Sequence, residues 1–169
     1  LRAIYLHEMD RFRRTLTQSV LSPVLTTSLY FIVFGSVIGG YVEKIDGISY
    51  GSYIVPGLLM LTLLTQSISN TSFGIFFPKF NGTIYEILAA PISTLEVVLA
   101  FVGAGATKTL IVSIIIFITS LFFVDVQVKY PLLMIFLLIL VAFTFALFGF
   151  LIGLMSSNFE QMSVVPTLV

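Results

Sequence analysis

The sequence has no cysteine and no tryptophan, a single histidine, and charged residues at only 9% of its 169 positions. Without cysteine there is no disulfide framework, no thiolate nucleophile and no cysteine zinc site. Soluble domains carry about 25% charged residues, so the composition excludes a soluble enzyme and a disordered segment. Eight basic and eight acidic residues give a formal net charge of zero, which leaves no basic surface for binding nucleic acid.

Hydrophobic residues make up 58% of the chain, and the mean hydropathy is +1.12. Charges are missing from residues 15–42, 47–78 and 130–159, and Lys108 is the only charge within 97–124. A helix needs about 20 apolar residues to cross a bilayer core about 30 Å thick. The sequence therefore predicts an all-α integral membrane protein with spans near 16–38, 53–76, 97–123 and 132–154. The apolar run 162–169 is expected to begin a fifth span.

The lysines and arginines predict the orientation of these spans, because cytoplasmic loops are enriched in both. Most of them precede the first span or follow the second, namely Arg2, Arg11, Arg13, Arg14 and Lys79. The two opposite loops carry only Lys44 and Lys129. The N-terminus and the loop 77–96 are therefore expected to lie in the cytoplasm of a cell-membrane protein.

Residues 1–15 have the pattern of an amphipathic helix. The apolar members Leu1, Ile4, Tyr5, Met9 and Phe12 share one arc of a helical wheel, and arginines fill much of the remainder. Leu6 and Glu8 depart from the pattern. Such a helix is expected to lie at the membrane surface with its arginines near lipid phosphates.

The loop between the second and third predicted spans contains a short helix, expected over 83–90. Thr83 and Glu86 have the spacing of a capping box, and so do Ser93 and Glu96 at the start of the third span. Pro91 disfavours helix at the residue before it. A helix this short is unstable alone, so its apolar residues should dock on something. From the pattern alone, that is either a groove on a cytoplasmic partner or the protein's own bundle.

Three polar residues inside the predicted spans are candidates for function. Lys108 follows eleven uncharged residues of the third span, so its ammonium is expected to be buried and paired, with snorkelling to the surface as the alternative. Gln66 and Asn70 share a face of the second span with Thr62 and Ser69. They line a substrate path or make hydrogen bonds between helices.

Small residues form a stripe along the fourth span, at Ala142, Ala146, Gly149 and Gly153. Small side chains allow close approach of helix backbones. The stripe predicts a packing seam, either within one subunit or between subunits.

Three segments resemble the permease subunits of ABC exporters of the type-2 (ABC-2) family. They are YIVPGLLM (53–60), YEILAAPISTLEVV (85–98) and GATKTLI (105–111). The resemblance covers essentially the whole chain, which is expected to be an incomplete, N-terminal part of one permease domain (1–169). The resemblance implies six spans, so the last two are expected to lie outside this sequence.

The resemblance implies an ATP-driven exporter that works by alternating access as a homodimer or heterodimer of permeases. It implies an ABC ATPase subunit on the cytoplasmic face, gripped by a coupling helix that corresponds here to Thr83, Ile84, Tyr85, Glu86, Ile87 and Leu88. The segment 103–109 lacks the glycine–lysine spacing of a phosphate-binding loop. No cofactor and no catalytic residue are therefore expected in this chain, and ATP would be used by the partner subunit.

Two alternatives stay open at this point. An ATPase-independent secondary transporter or channel would have inverted repeats and broken helices at mid-membrane. Pro23 and Pro56 lie in the first two spans, but the halves show no convincing repeat. A non-transporting membrane scaffold is the other alternative. The sequence leaves the cargo open among drugs, lipids and glycans.

The predicted orientation can be checked by labelling single cysteines in intact cells, since the chain has no native cysteine. Cysteines at Arg13 and Glu86 should be protected from a membrane-impermeant thiol reagent, and those at Glu43 and Lys129 should react. Labelling at position 86 from outside would reverse the topology.

Overall fold

The structure, a computed structural model, describes residues 2–34, 44–45, 48–124 and 128–168. Its elements in chain order are α1 (Arg2–Arg14), α2 (Leu16–Val33), β1 (Lys44–Ile45), β2 (Ile48–Ser49), α3 (Tyr50–Phe80), α4 (Ile84–Ala89), α5 (Thr94–Phe123), α6 (Pro131–Met155) and α7 (Phe159–Leu168). The predicted all-α membrane fold is confirmed. The short antiparallel ladder of β1 and β2, which pairs Lys44 with Ser49, was not predicted.

Four of the described helices, α2, α3, α5 and α6, are long and apolar enough to cross a membrane. The end of the first predicted span, 35–38, lies outside the described residues, as does Glu43. The second span is longer than expected, since α3 has 31 residues and contains both Pro56 and Pro78. At about 1.5 Å per residue, α3 is about 46 Å long and extends beyond the hydrocarbon core.

The bundle core forms where α3, α5 and α6 pack together around a buried apolar cluster that includes Leu63, Phe101 and Phe150. The small residues of α6 face α3. A Cβ atom at Gly149 would lie 2.5 Å from the carbonyl oxygen of Ile68. The predicted seam of small residues therefore packs two helices of the same chain.

Hydroxyl groups of α3 reinforce this seam. The Ser67 hydroxyl donates to the carbonyl of Ala142 at 2.6 Å. The Ser72 hydroxyl lies within hydrogen-bond distance of the carbonyls of Ile68 and Gly149, at 2.7 and 2.8 Å. Such bonds are worth about 0.6 kcal/mol each in a bilayer, so they add modestly to the close packing of the two helices.

A second apolar cluster attaches α1 and α2 to the bundle. Phe12 and Phe31 are buried against Val112 and Ile116 of α5, together with Val55 and Leu59 of α3. Helix α2 packs mainly on α5 and touches α3 at few positions. This leaves a gap between α2 and α3, described below.

Helix α6 ends against the last turn of α3. The Lys79 ammonium donates to the carbonyls of Leu154 and Ser156 at 2.6 and 2.9 Å, which gives partners to carbonyls that the end of a helix leaves free. Phe159 of α7 then packs edge-on against the rings of Phe76 and Phe80.

Substituting Gly149 with alanine should lower the stability of the protein by about 1–3 kcal/mol, the usual effect of overpacking a filled interface. The added methyl group would meet the backbone of Ile68, which cannot move aside as a flexible side chain can. Thermal unfolding of the purified protein in detergent measures the change.

The matched control is Gly57→Ala, also within a membrane helix. Within the described part of the chain, no heavy atom other than those of adjoining residues and of the local helix backbone lies within 4 Å of the Cβ position at Gly57. Alanine is also the better helix former, so stability should be unchanged or raised. Equal effects of the two substitutions would contradict the close contact between α3 and α6.

Candidate functional site

The short helix α4 lies in the loop between α3 and α5 and has the bounds Ile84–Ala89. Gly82 turns the chain into it with a φ of 79°, a conformation that favours glycine. Ala90 is extended, with φ −72° and ψ 145°, as expected of a residue before proline. The local sequence thus sets both ends of α4.

The predicted capping box of Thr83 and Glu86 is wrong. The Thr83 side chain makes no cap hydrogen bond, because its backbone is already helical, with φ −62° and ψ −18°. A capping residue normally has an extended backbone. The first turn is closed by backbone bonds instead, from the amides of Tyr85 and Glu86 to the carbonyls of Gly82 and Thr83.

The apolar residues of α4 divide between two directions. Ile84 and Ile87 are partly buried against the apolar cluster of the bundle. Tyr85 and Leu88 are 74% and 66% exposed, and Glu86 is exposed as well. The sequence left open whether α4 docks on a partner or on its own bundle. One side of the helix contacts the bundle and the other side is exposed, so the two alternatives are compatible.

The second capping box forms as predicted. The Ser93 hydroxyl accepts a bond from the Glu96 amide at 3.3 Å, and the Glu96 carboxylate accepts one from the Ser93 amide at 3.1 Å. Ser93 has the extended backbone that this motif needs. The start of α5 is thereby fixed, with four residues, 90–93, between it and the end of α4.

Lys108 lies in the middle of α5 and is 4% exposed. Its ammonium is 2.6 Å from a carboxylate oxygen of Glu8, which is 2% exposed. The pair joins α1 to α5 across 100 residues of sequence. Each buried charge thus has its counter-charge, which offsets the large cost of removing both from water.

Other polar contacts surround this ion pair. Arg11 lies 3.2 Å from the second carboxylate oxygen of Glu8 and also lies over the ring of Phe77. The Tyr5 hydroxyl donates to the Thr107 hydroxyl at 3.1 Å. Gly74 of α3 faces the carboxylate, and a Cβ there would come within 3.5 Å of it. The Glu8 side chain therefore lies where α1, α3 and α5 meet.

Sequence reasoning missed Glu8, although one signal was present. Glu8 is four residues from both Ile4 and Phe12, so on a helix it lies within the apolar stripe rather than beside it. A single lysine inside a span has no acidic residue within reach on its own helix, and a single acid on the apolar stripe of another helix is one of the few residues that could pair with it. Such residues are candidates to pair with each other.

The three polar residues singled out within the spans do not form one site. The Asn70 amide group lies 3.4 Å from the Thr109 hydroxyl of α5 and 3.5 Å from Gln66, so Asn70 connects two helices. Gln66 faces a different helix, α2, across a pocket. Lys108 is paired with Glu8.

The pocket lies between α2 and α3 and has a volume of about 350 Å³. Gln66, three leucine or proline side chains and many hydroxyl groups line it, the hydroxyls being those of Ser22, Thr26, Thr27, Tyr30, Thr62 and Thr65. None of the described residues that line it is charged. Thr62 and Thr65 donate to carbonyls of their own helix. The pocket therefore suits an uncharged ligand with both apolar and hydrogen-bonding parts.

Comparison with known proteins decides the family. The family described as "ABC-2 type transporter" matches residues 1–169. The chain belongs to the ABC-2 type transporter family. It is 38% identical, over all of its length, to proteins named inner membrane transport permease YadH from Escherichia coli strain K12 and from Shigella flexneri. The chain spans 66% of the length of these relatives. No solved structure gives a significant match.

Family membership and the four apolar helices together establish a multi-pass membrane protein. Among the described residues, no three His, Cys, Asp or Glu side chains come together in a way that could hold a metal ion. Among the described residues, three features are candidates for function: the exposed side of α4, the pocket between α2 and α3, and the Glu8–Lys108 pair.

Replacing Lys108 with leucine should destabilise the protein by up to about 3–5 kcal/mol, since it leaves the buried Glu8 carboxylate with only the partly exposed Arg11 as a counter-charge. Lys108→Arg keeps the charge and should be much milder. The yield of folded protein in detergent, measured by size-exclusion chromatography, reports the difference. Wild-type yield and stability for the leucine variant would show that the ion pair is not needed for assembly.

Proposed function

We propose that this chain is the membrane-spanning part of a permease subunit in an ATP-driven ABC exporter. Its membership of the ABC-2 family and its similarity to proteins named transport permeases support this proposal. The relatives' names also support a location in the inner membrane. The excess of arginine before α2 supports a cytoplasmic N-terminus.

The observation that carries the proposal is the exposure of Tyr85 and Leu88 on α4. Both side chains belong to a six-residue helix that the bundle holds through Ile84 and Ile87. In the proposed orientation α4 lies on the cytoplasmic side, where water makes an exposed tyrosine–leucine pair unfavourable. A partner groove that buries the two side chains removes this cost, and large apolar anchors dominate the energy of such interfaces.

We infer that the partner is an ABC ATPase subunit and that α4 is the coupling helix, with Thr83 and Glu86 at the edge of the contact. Phe80 and Leu95, at the neighbouring ends of α3 and α5, are exposed as well and extend the apolar surface. ATP is then bound and hydrolysed by the partner, and this chain supplies no catalytic residue and holds no cofactor.

The cargo path in this proposal includes the pocket between α2 and α3. Its hydroxyl-rich and uncharged lining suits the neutral, amphiphilic parts of a drug, lipid or glycan conjugate. Gln66 is the candidate cargo contact, whereas Asn70 and Lys108 act by holding helices together. A second permease copy, identical or paralogous, completes the transporter, and the two alternate between inward-open and outward-open forms.

Tyr85→Ala tests the coupling role. Removing an interface anchor costs about 2 kcal/mol or more, which is a loss of about thirtyfold in affinity. Co-purification of the ATPase subunit with the full-length permease should fall accordingly, and ATP hydrolysis by the complex should lose its dependence on the permease. Membrane insertion should stay normal, because Tyr85 does not contribute to the core.

The control is Phe122→Ala, which removes another exposed aromatic side chain, 83% exposed near the opposite end of α5. It should leave ATPase recovery unchanged. If Tyr85→Ala also leaves recovery and hydrolysis unchanged, α4 is only a surface element of the bundle. The ATPase-independent transporter or channel would be the better explanation if no ATPase subunit were recovered with the wild-type permease.

A further inference from the structure

The exposed side of α4 and the pocket between α2 and α3 lie on different parts of the bundle, and a particular chain of contacts connects them. Four residues, 90–93, separate α4 from helix α5, which continues for 30 residues. No proline interrupts it, so a displacement of its first turn carries through the helix. Lys108 lies about 21 Å along this helix, at about 1.5 Å per residue.

At Lys108 the path crosses to α1 through the ion pair with Glu8. The neighbouring bond from Tyr5 to Thr107 joins the same two helices. Helix α1 is in turn followed by α2 after the single residue Thr15, whose amide still bonds to the carbonyls of Arg11 and Phe12. Any movement of α1 is therefore passed to the start of α2, which forms one wall of the pocket.

We propose that the Glu8–Lys108 pair clamps α1 to α5, and that Glu8 is a positioning residue which makes α2 follow the motion of α4 and so changes the width of the pocket. This inference rests on the proposed function, because the motion of α4 is supplied by the ATPase subunit. The clamp itself is formed only by residues of the permease.

The chemistry of the contact favours a clamp over a sliding surface. Apolar helix faces slide in a bilayer at little cost, because lipid tails are as apolar as the side chains they replace. Two opposite charges in a medium of low dielectric constant separate only at high cost. With Glu8 and Lys108 both buried, α1 and α5 are held in one register while other contacts rearrange.

Distances between spin labels on introduced cysteines test the proposal in the full-length permease in lipid nanodiscs. One pair, at His7 of α1 and Leu99 of α5, reports the clamp. A second pair, at Leu29 of α2 and Tyr53 of α3, reports the pocket. All four positions are exposed, and no cysteine of this sequence competes for the label. The complex with the ATPase subunit is measured without nucleotide and with ATP and vanadate.

In the wild type, the distance between 7 and 99 should be narrowly distributed and the same in both states, while the distance between 29 and 53 should shift. The double variant Glu8→Gln/Lys108→Met removes both charges, so it leaves neither one unpaired and should still assemble. Its distribution between 7 and 99 should broaden, and the shift between 29 and 53 should be lost, although the ATPase subunit stays bound and hydrolyses ATP.

Two further variants separate the clamp from a general effect on α1. Glu8→Asp/Lys108→Arg keeps both charges and should keep the shift between 29 and 53. A variant with the two charges exchanged is unsuitable, because it would place a lysine beside Arg11. Asp10→Asn removes a carboxylate from the exposed side of α1 and should change neither distance.

The possible failures are distinguishable. A narrow distribution between 7 and 99 in the uncharged double variant overturns the clamp, whether or not an ATPase subunit binds. A normal shift between 29 and 53 in that variant, or no shift in the wild-type complex, overturns the transmission to α2. Failure of the ATPase subunit to bind the wild type contradicts the proposed function, and with it the source of the motion.

Discussion

A backbone polar group inside a bilayer has no water to bond with, so it must find its partner within the protein, and forming helices is how the chain satisfies this constraint. Buried side chains are under a similar constraint. The hydroxyls of Ser67 and Ser72 bond to carbonyls of α6. The most demanding case is Lys108, because a buried ammonium needs a counter-charge. The carboxylate of Glu8 supplies it and thereby fixes the place of α1.

The same constraint accounts for an uneven division of the bundle. Helices α3 and α6 approach closely through Gly149 and Gly153, where any Cβ atom would meet backbone or side-chain atoms of α3. Helices α1 and α2 reach the rest mainly through α5, by the ion pair at one level and by the cluster around Phe31 and Ile116 at another. Between α2 and α3 the contacts are few and the pocket is open. The protein thus has a tightly packed part and a more loosely attached part, with α5 common to both.

The long stretches without charge were enough to predict the membrane helices, because a helix can cross a bilayer if it is long and apolar enough. Local sequence chemistry also predicted α4, through Pro91, and the capping box of Ser93 and Glu96. The identical spacing at Thr83 and Glu86 failed because the backbone after Gly82 is already helical at Thr83. Contacts between segments that are far apart in the sequence could not be predicted in this way. Glu8 and Lys108 are 100 residues apart, and the α2–α3 pocket depends on how two helices are placed rather than on either sequence.

In the proposed exporter, the position of the Glu8–Lys108 pair relative to the loosely packed boundary between α2 and α3 has a mechanical consequence. If α1 were held to α5 by apolar contacts alone, a push on α4 could be absorbed by slippage between these helices before it reached α2. The ion pair removes that freedom at the point where α1 crosses α5, so relative motion has to appear where packing is weakest. That place is the boundary between α2 and α3, since the glycine and serine contacts oppose movement between α3 and α6. A single buried carboxylate therefore decides which helix boundary yields when the bundle is driven.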